Sequence, residues 1–320
     1  MRLVWAEITR LFGRRFTAIA LIVLLLALGG SQLVVNKALA PPSGEERAAA
    51  QQAYDQAHKD WVANHDKYER DCRDTGGTPE ECTVPEPTLA DFSVDPTSFK
   101  EVVSTALELS TVLVALGAFM IAASSIGAEY SSGSIANWLT FIPRRGHVFW
   151  SKLLTLIGFA ALLGAFAAMF VLAAGLVLAR LHASPIESLR ELAGLGARSI
   201  PAVVGLAVLG FCIALVTRHT VGALGVLLAY VVVLFLRMGI LGEREWIQRM
   251  TPWTPEGNLA AIVEHGHTYA IPVQKMTSDG MTTELVQHTV SLAHGAIYWS
   301  ILIPLVVAGS LLIFRRRDVL

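Results

Sequence analysis

Charged residues are scarce in this chain. They make up 16% of its 320 residues, while hydrophobic residues make up 53%, and a soluble globular domain carries about 25% charged residues. This shortage excludes an ordinary soluble domain and predicts an integral membrane protein. The formal net charge is -1, so no excess of charge indicates nucleic acid or an acidic molecule as a partner.

The sequence motifs of common hydrolases are missing as well. The chain has no Gly-x4-Gly-Lys-Ser/Thr phosphate loop, so it cannot be interpreted as hydrolysing ATP itself. It also lacks a His-Glu-x-x-His helix and a Gly-x-Ser-x-Gly elbow, which hold metals or nucleophiles in other enzymes. We therefore predict no catalytic residue and no cofactor in this chain, and any ATP-driven function requires a partner subunit.

Long apolar runs dominate the sequence instead. The hydrocarbon core of a bilayer is about 30 Å thick and is crossed by roughly 17 to 25 helical residues. Six runs meet this length, and we predict spans at 16–36, 101–127, 153–179, 199–217, 221–238 and 296–314. The predicted fold class is an all-α polytopic membrane protein with six transmembrane helices.

Basic residues near the span ends set the predicted orientation. Short segments on one side of the membrane share an excess of arginine and lysine, as cytoplasmic loops do. These residues are Arg2, Arg10, Arg14, Arg15, Arg144, Arg145, Lys152, Arg218, Arg315, Arg316 and Arg317. Only Glu7, Glu129 and Asp318 oppose them on that side. The loops on the other side are longer, and long loops translocate largely regardless of charge, so both termini are predicted to be cytoplasmic.

Residues 1–15 have the pattern of a helix lying in the membrane interface. Trp5 and Leu11 share one helical face, and the charged residues lie opposite. A cleavable signal peptide is the rival interpretation of the N-terminus, since Ala38-Leu39-Ala40 has small residues at cleavage-site spacing. The apolar run 16–36 is longer than the roughly 7 to 15 residues of a signal peptide, so we predict that it is retained.

An outer, helical loop is predicted at 37–100, where the composition becomes polar. Ser43-Gly44-Glu45-Glu46 is a capping-box pattern, and it predicts a helix over 44–72 with a narrow aromatic face. That face would pack on its own loop, pack on another subunit's loop, or bind a ligand. Cys72 and Cys82 lie in the same loop, and an oxidising compartment favours a disulfide between them.

Two further outer loops are predicted at 180–198 and 239–295. The second contains an amphipathic turn around Trp246 and a Thr-Pro-Trp-Thr-Pro breaker. Its segment Glu264-His265-Gly266-His267 is the best metal-ligand pattern in the chain, because two histidines flanking one glycine can share a metal. Ordinary solvated side chains are the simpler interpretation, and we predict no metal site.

The short basic stretch between the second and third spans is the most informative segment. Residues 126–152 are Ile-Gly-Ala-Glu-Tyr-Ser-Ser-Gly-Ser-Ile-Ala-Asn-Trp-Leu-Thr-Phe-Ile-Pro-Arg-Arg-Gly-His-Val-Phe-Trp-Ser-Lys. An acidic residue and an aromatic precede a Gly/Ser turn, a short apolar helix and paired arginines. This order resembles the cytoplasmic coupling segment of ABC-2 type transporter permeases. The ending Phe314-Arg315-Arg316-Arg317-Asp318-Val319 also resembles the usual ending of that family.

The resemblance implies the transmembrane subunit of a bacterial ABC exporter in the cytoplasmic (inner) membrane. Energy would come from two copies of a separate ATPase subunit, which would bind the ATP and magnesium. The permease would pair with a second copy of itself or with a related permease, within the lipid bilayer and without nucleic acid. It further implies an elbow helix at 1–15, a coupling segment at 128–152, short re-entrant helices near 246–263 and a cytoplasmic tail at 315–320.

The resemblance also assigns roles within the coupling segment. Glu129 and Tyr130 would cap the end of the second span, and Gly133 would permit the turn. Apolar residues would face a groove of the ATPase or the bilayer, namely Ile135, Trp138, Leu139 and Phe141. Arg144 and Arg145 would pair with acidic ATPase residues or lipid phosphates, or would only anchor the segment at the membrane.

Glu108 is the one carboxylate well inside a predicted span. Ionisable residues at such depth are costly and usually face a bundle interior or water. One interpretation is a substrate path or gate, in which Arg237 near the outer end of the fifth span is its salt-bridge partner. The other is a side chain that only extends to the membrane interface.

Two other classes of function remain as alternatives. In the first, the protein is a membrane scaffold or sensor whose outer helical loop binds a partner without transport. In the second, it is a membrane enzyme in which His265 and His267 hold a metal. The resemblance at 126–152 favours transport over both.

Overall fold

The structure is a computed structural model that describes residues 2–78, 80–92, 97–135, 137, 144–239, 244–277 and 280–316. Its elements are α1 (Arg2–Phe12), α2 (Arg15–Leu39), α3 (Gly44–Asp74), α4 (Phe99–Ser131), α5 (Arg145–Leu181), α6 (Leu189–Thr217), α7 (Thr220–Gly239), α8 (Glu245–Arg249), α9 (Pro255–Val263), β1 (His267–Thr277), β2 (Gly280–Val290) and α10 (Leu292–Arg316). Single 3-10 turns occur at Leu89–Asp91 and Thr251–Trp253.

Six helices of the described chain are long and apolar enough to cross a membrane, namely α2, α4, α5, α6, α7 and α10. The predicted all-α polytopic architecture with six spans is therefore confirmed. Several helices extend beyond their apolar runs. For example, α5 begins at Arg145 although its apolar run begins at 153, because hydropathy detects only the part of a helix that lies in hydrocarbon.

Helices α4 and α6 form the centre of the bundle. In the most apolar stretch of α4, 61% of the residues are buried within the chain, against 50% in α6 and 6% in α7. Aromatic rings fill part of this centre, where Phe149 and Phe211 meet edge to face with their centroids 5.4 Å apart. Helices α2, α7 and α10 lie at the periphery and expose apolar side chains, which suits contact with lipid tails.

The two ends of the bundle carry different elements. We call one end the terminal side, because it holds α1 and the C-terminal end of α10. The end of α4, the start of α5 and the turn between α6 and α7 also lie there. We call the other end the loop side, and it holds α3, α8, α9 and the hairpin β1–β2.

Helix α3 begins where the capping-box pattern predicts. The Ser43 hydroxyl accepts a hydrogen bond from the Glu46 amide at 3.2 Å, and the Glu46 carboxylate accepts one from the Ser43 amide at 2.8 Å. These two bonds satisfy amides that a helix start leaves free. The helix then continues to Asp74, two residues beyond the predicted 44–72.

Residues 80–92 form a strap across α3. A disulfide joins Cys72 of α3 to Cys82 of the strap, with their Cα atoms 5.6 Å apart. Further along, Trp61 Nε1 donates a hydrogen bond to the carbonyl oxygen of Val84 at 3.0 Å. The aromatic face of α3 therefore packs on its own loop.

A β-hairpin occupies part of the predicted loop 239–295. Strands β1 and β2 pair antiparallel, with His267 opposite Val290. The sequence pattern did not predict these strands, because Pro272 interrupts the run and lacks the amide that a sheet ladder uses. The short helices α8 and α9 precede the hairpin, in the region where the family resemblance implies re-entrant helices.

Candidate functional site: a buried charge cluster on the terminal side

Four charged side chains from distant parts of the sequence meet on the terminal side. Lys152 Nζ lies 2.9 Å from each carboxylate oxygen of Glu7 and 2.7 Å from Glu129 Oε2. Arg14 Nη2 donates a hydrogen bond to Glu129 Oε1 at 2.8 Å. We call Glu7, Arg14, Glu129 and Lys152 the charge cluster.

Each member of the cluster lies on a different element. Glu7 lies on α1, and Arg14 is the extended residue (φ -84°, ψ 127°) that joins α1 to α2. Glu129 lies in the last turn of α4, and Lys152 lies within the first turns of α5. The cluster therefore ties α1 and α2 to both ends of the predicted coupling segment.

Burial makes these ion pairs dependent on one another. Glu7 is 7% exposed, Glu129 4% and Lys152 5%, while the Arg14 side chain is 23% exposed. Taking an ion out of water costs several kcal/mol, so a buried ion persists only when it is paired and hydrogen-bonded. Two carboxylates and two cations balance in the cluster. Removal of Lys152 leaves two buried carboxylates without the cation that they share.

The cluster borders a narrow cleft rather than a binding pocket. The cleft measures about 20 Å³, and Arg10, Ser125 and Thr155 are among its other lining residues. Small-molecule sites are usually clefts of about 300–1,000 Å³. The cleft is therefore far smaller than a small-molecule site, and the contacts of the cluster are with the helices that carry it.

Two residues of the coupling segment have surroundings that differ from the prediction. Glu129 pairs with Arg14 and Lys152 instead of capping α4. Ile135, predicted to face an ATPase groove or the bilayer, is 3% exposed and belongs to the hydrophobic core. The reason is the turn at Gly133, whose φ of 68° is left-handed and open to glycine at little cost. That turn directs Ile135 back onto the bundle.

The last turn of α4 contacts the turn between α6 and α7. The Arg218 guanidinium lies 5.9 Å from the centroid of the Tyr130 ring, which is cation–π distance. Thr220 packs so closely on Gly127 that a Cβ added to this glycine would overlap the Thr220 backbone. Tyr130 and Gly127, the residue immediately before the predicted coupling segment, therefore link the end of α4 to the start of α7.

The paired arginines of the coupling segment differ in their surroundings. Arg144 is exposed immediately before α5. Arg145 Nη1 donates to the carbonyl oxygens of Phe314 and Arg315, both at 3.3 Å, and so binds the C-terminal end of α10, where free carbonyls favour a cation. Other predicted residues lie outside the described residues, namely Trp138, Leu139, Phe141, Arg317 and Asp318.

On the loop side, Arg237 pairs with Glu256 at the start of α9, and not with Glu108. The second terminal nitrogen of Arg237 donates to Thr251 Oγ1 at 2.8 Å. Glu108 is half-buried on α4, and no ion pair of this residue is found in the part of the chain that the structure describes. A role for Glu108 and Arg237 in a substrate path or gate stays a prediction.

The two histidines of the predicted metal pattern have different backbone conformations. His265 is left-handed, with a φ of 67°, and His267 begins β1. His267 Nδ1 lies 2.9 Å from Glu264 Oε2, and this hydrogen bond raises the pKa of His267. Among the described residues, no three His, Cys, Asp or Glu side chains gather in a way that could hold a metal.

From sequence alone, Glu7, Arg14 and Lys152 belong to the membrane flanks, and no spacing predicts that they meet. One sequence feature nevertheless indicated the cluster, namely the few acidic residues among the basic ones of these flanks. Glu7 and Glu129 are, with Asp318, the only acids in the basic segments of the terminal side. The positive-inside rule explains the basic residues there but not the acids, so each of these acids is a candidate for pairing across helices.

Nearly the whole chain matches a known family. The family model described as ABC-2 family transporter protein matches residues 2–319. The match includes all six spans and all four members of the charge cluster. No curated protein matches the chain.

Proposed function

Because the chain belongs to the ABC-2 family of transporter proteins and is thus a permease component of an ABC transporter, we propose that it exports its substrate with energy from a separate ATPase. Two ATPase subunits would bind ATP and magnesium and hydrolyse the ATP. Two permeases would form the path, this chain pairing with itself or with a related permease. The lack of a phosphate loop in the sequence supports a division of labour between subunits.

The charge cluster is the observation that carries this proposal. Its members Glu129 and Lys152 lie at the two ends of the predicted coupling segment. Lys152 pairs with Glu7 of α1, and Glu129 pairs with Arg14, which joins α1 to α2. An ATPase that displaces the coupling segment would therefore move α4 and α5 together with α1 and α2. Buried ion pairs of defined geometry suit this transmission, because close-packed interiors deform little and pass on strain.

The distribution of basic residues and of the disulfide supports the orientation. The terminal side carries the arginine-rich short segments, which favour the cytoplasm. The loop side carries the Cys72–Cys82 disulfide, and disulfides persist in oxidising compartments outside the cytoplasm. Both features support a bacterial cytoplasmic membrane as the location, with the termini in the cytoplasm and α3 outside.

Co-purification tests the proposal. The tagged permease is expressed together with its genomic neighbours and extracted in mild detergent, and we expect an ATPase to co-purify. Replacement of 138–141 by Gly/Ser is expected to release it, since these residues carry the apolar part of the coupling segment. Replacement of 185–188 by Gly/Ser is the matched control on the loop side, and it is expected to leave the complex intact.

The outcomes separate transport from the scaffold alternative. Release by the 138–141 replacement alone supports the permease function and the coupling segment together. If well-folded wild-type permease retains no ATPase, the proposal is wrong and a scaffold or sensor function takes its place. If both replacements release the ATPase equally, binding does not depend on the coupling segment and its proposed role is rejected.

A further inference from the structure

Helix α7 has little apolar packing inside the chain and yet has specific contacts at both ends. Only 6% of its most apolar stretch is buried, the lowest share among the six spans of the described chain. Its position is therefore set less by core packing than by what holds its ends. Those end contacts are polar on the loop side and closely packed on the terminal side.

On the terminal side, α7 rests against the coupling segment. Thr220, its first residue, is in close contact with Gly127 of α4. Two positions earlier, in the turn before α7, Arg218 lies over the Tyr130 ring. The Gly127–Thr220 contact transmits a push whatever its attractive strength, because atoms at van der Waals contact cannot approach further. The Arg218–Tyr130 contact resists separation.

On the loop side, two side chains of α7 hold the start of α9. Arg237 forms an ion pair with Glu256 and donates to Thr251 Oγ1 at 2.8 Å. Tyr230 donates to Glu256 Oε2 at 2.5 Å. We call Tyr230, Arg237 and Glu256 the loop-side latch. Helix α9 in turn covers α10, where the side chain of Ala261, fully buried, lies against Gly295.

The ion pairs of the loop-side latch are more exposed to water than the buried ion pairs of the charge cluster. In the loop-side latch, the Arg237 side chain is 18% exposed and that of Glu256 32%, whereas the Lys152, Glu7 and Glu129 side chains of the charge cluster are only 5–8% exposed. Water competes for a partly exposed ion pair and weakens it. Breaking a fully buried pair is far more costly. When a movement of the helices strains both clusters, we therefore expect the ion pair of the loop-side latch to break while the ion pairs of the charge cluster stay formed.

We propose that α7 carries the movement of the coupling segment to the loop side, and that the loop-side latch is the contact that opens. When the coupling segment moves, Gly127 and Tyr130 displace the start of α7, and Arg237 and Tyr230 withdraw from Glu256. Helix α9 is then free to lift from α10 and open the loop side of the path. This inference rests on the proposed function, because it takes the ATPase as the source of the movement.

A buried reporter cysteine tests the latch in the permease alone. The parent protein carries Cys212→Ser, which removes the one cysteine outside the disulfide, and Ala261→Cys as the reporter. Detergent-purified protein is treated with a water-soluble maleimide, and the labelling rate is measured. Glu256→Gln is expected to raise this rate by about tenfold, the factor that corresponds to about 1.4 kcal/mol. Arg237→Lys, which keeps the charge but loses the fork geometry, is expected to raise it less.

The chain offers a matched control for this experiment. Glu245 and Arg249 form an exposed ion pair on α8 at 2.6 Å that does not involve α7, so Glu245→Gln is expected to leave the labelling rate unchanged. The exchange Arg237→Glu with Glu256→Arg restores opposite charges and is expected to return the rate toward that of the parent. If Glu256→Gln labels no faster than the parent, the latch is rejected. If Glu245→Gln accelerates labelling as much, the effect is general loosening and the latch is likewise rejected.

A second experiment tests the transmission by α7 in the complex with the ATPase. Labelling of Ala261→Cys is compared without nucleotide and with ATP and vanadate, and a faster rate with nucleotide is expected. Arg218→Gly removes the guanidinium but suits the left-handed backbone at this position (φ 61°), and it is expected to reduce the response without releasing the ATPase. An unchanged rate with nucleotide in an intact complex overturns the transmission. If no ATPase binds, the proposed function is overturned instead. The labelling of Ala261→Cys in the permease alone then tests the loop-side latch separately.

Discussion

Lys152 Nζ lies 2.9 Å from both carboxylate oxygens of Glu7, although 145 positions separate the two residues in the chain. The contact joins helix α1 to the start of α5, the third span. Helix α1 is therefore held by the bundle and does not depend on lipid alone for its position.

Replacing Lys152 with methionine is expected to destabilise the fold severely. The substitution removes the cation that the buried carboxylates of Glu7 and Glu129 share, and breaking a buried pair in this way costs about 3–5 kcal/mol. The measurement is the thermal unfolding midpoint of the detergent-purified protein. Lys100→Met is the control, because Lys100 and Glu191 pair at 2.6 Å with both side chains more than half exposed, and such pairs contribute about 0–1 kcal/mol. Equal losses in the two variants would contradict the role assigned to the cluster.

A methyl group at Gly127 is expected to separate α4 from the start of α7. In Gly127→Ala the added carbon overlaps the backbone of Thr220, and overpacking of this kind costs about 1–3 kcal/mol. Gly158→Ala on α5 is the matched control, since nothing lies within 4 Å of a Cβ at Gly158 and alanine is the better helix former. The same thermal measurement is expected to show a loss for the first variant and no loss for the second. A harmless Gly127→Ala would show that the contact is not tight.

Removal of the disulfide is expected to loosen the strap without loosening the bundle. Closing a loop over a sequence separation of 10 residues contributes about 2–3 kcal/mol by the chain-entropy estimate. Cys72→Ser with Cys82→Ser should therefore speed hydrogen exchange of amides in 80–92, measured by mass spectrometry, while amides of α4 and α6 keep their protection. Cys212→Ser, in a buried position, should leave exchange in the strap unchanged. Unaltered strap exchange in the double variant would mean that contacts such as Trp61 with Val84 suffice.

The start of the hairpin is expected to lose stability as the pH rises. The hydrogen bond to Glu264 raises the pKa of His267 above its ordinary value of about 6.5. Because the folded state binds the proton more tightly, the contribution is complete below about pH 6.5 and is lost as the pH rises through the raised pKa. Hydrogen exchange of 267–290 at pH 5.5 and pH 8.5, corrected for intrinsic rates, should show faster exchange at the higher pH.

Two substitutions identify the cause of this pH dependence. Glu264→Gln removes the carboxylate that holds the proton on His267 and is expected to abolish the difference between the two pH values. Glu284→Gln changes a carboxylate elsewhere on the same hairpin and is expected to preserve it. A pH dependence that survives in Glu264→Gln would assign the effect to another group.

Much of the fold was predictable because its signals are local. Runs of apolar residues predict the spans. Ser43 with Glu46 predicts the start of α3, since the two residues of a capping box lie three positions apart in the sequence. The hairpin was not predictable in the same way. Its strands are half-exposed and the first is interrupted by Pro272, so they lack the alternation that marks a buried strand.

The candidate site was less predictable from the sequence than the fold. The family resemblance predicts Glu129, Tyr130 and Gly133 to be residues of a coupling segment, and this role stays a prediction. One interpretation paired Arg237 with Glu108, because Glu108 is the one carboxylate well inside a predicted span. In the structure Arg237 pairs instead with Glu256 of α9, which lies in a predicted loop. The resemblance also placed Ile135 on an outer surface, since the direction of the chain after Gly133 depends on one backbone angle.

The amino-acid order alone predicts a six-span membrane protein, an orientation from the arginine bias and a capped helix in the first long loop, because each signal depends on residues close together in the chain. The meeting of Glu7, Arg14, Glu129 and Lys152 depends instead on how the helices pack. Charges at the ends of separate spans have no fixed distance until the core between α4 and α6 sets the position of each helix. The cost of burying unpaired ions then selects the arrangement in which each has a partner.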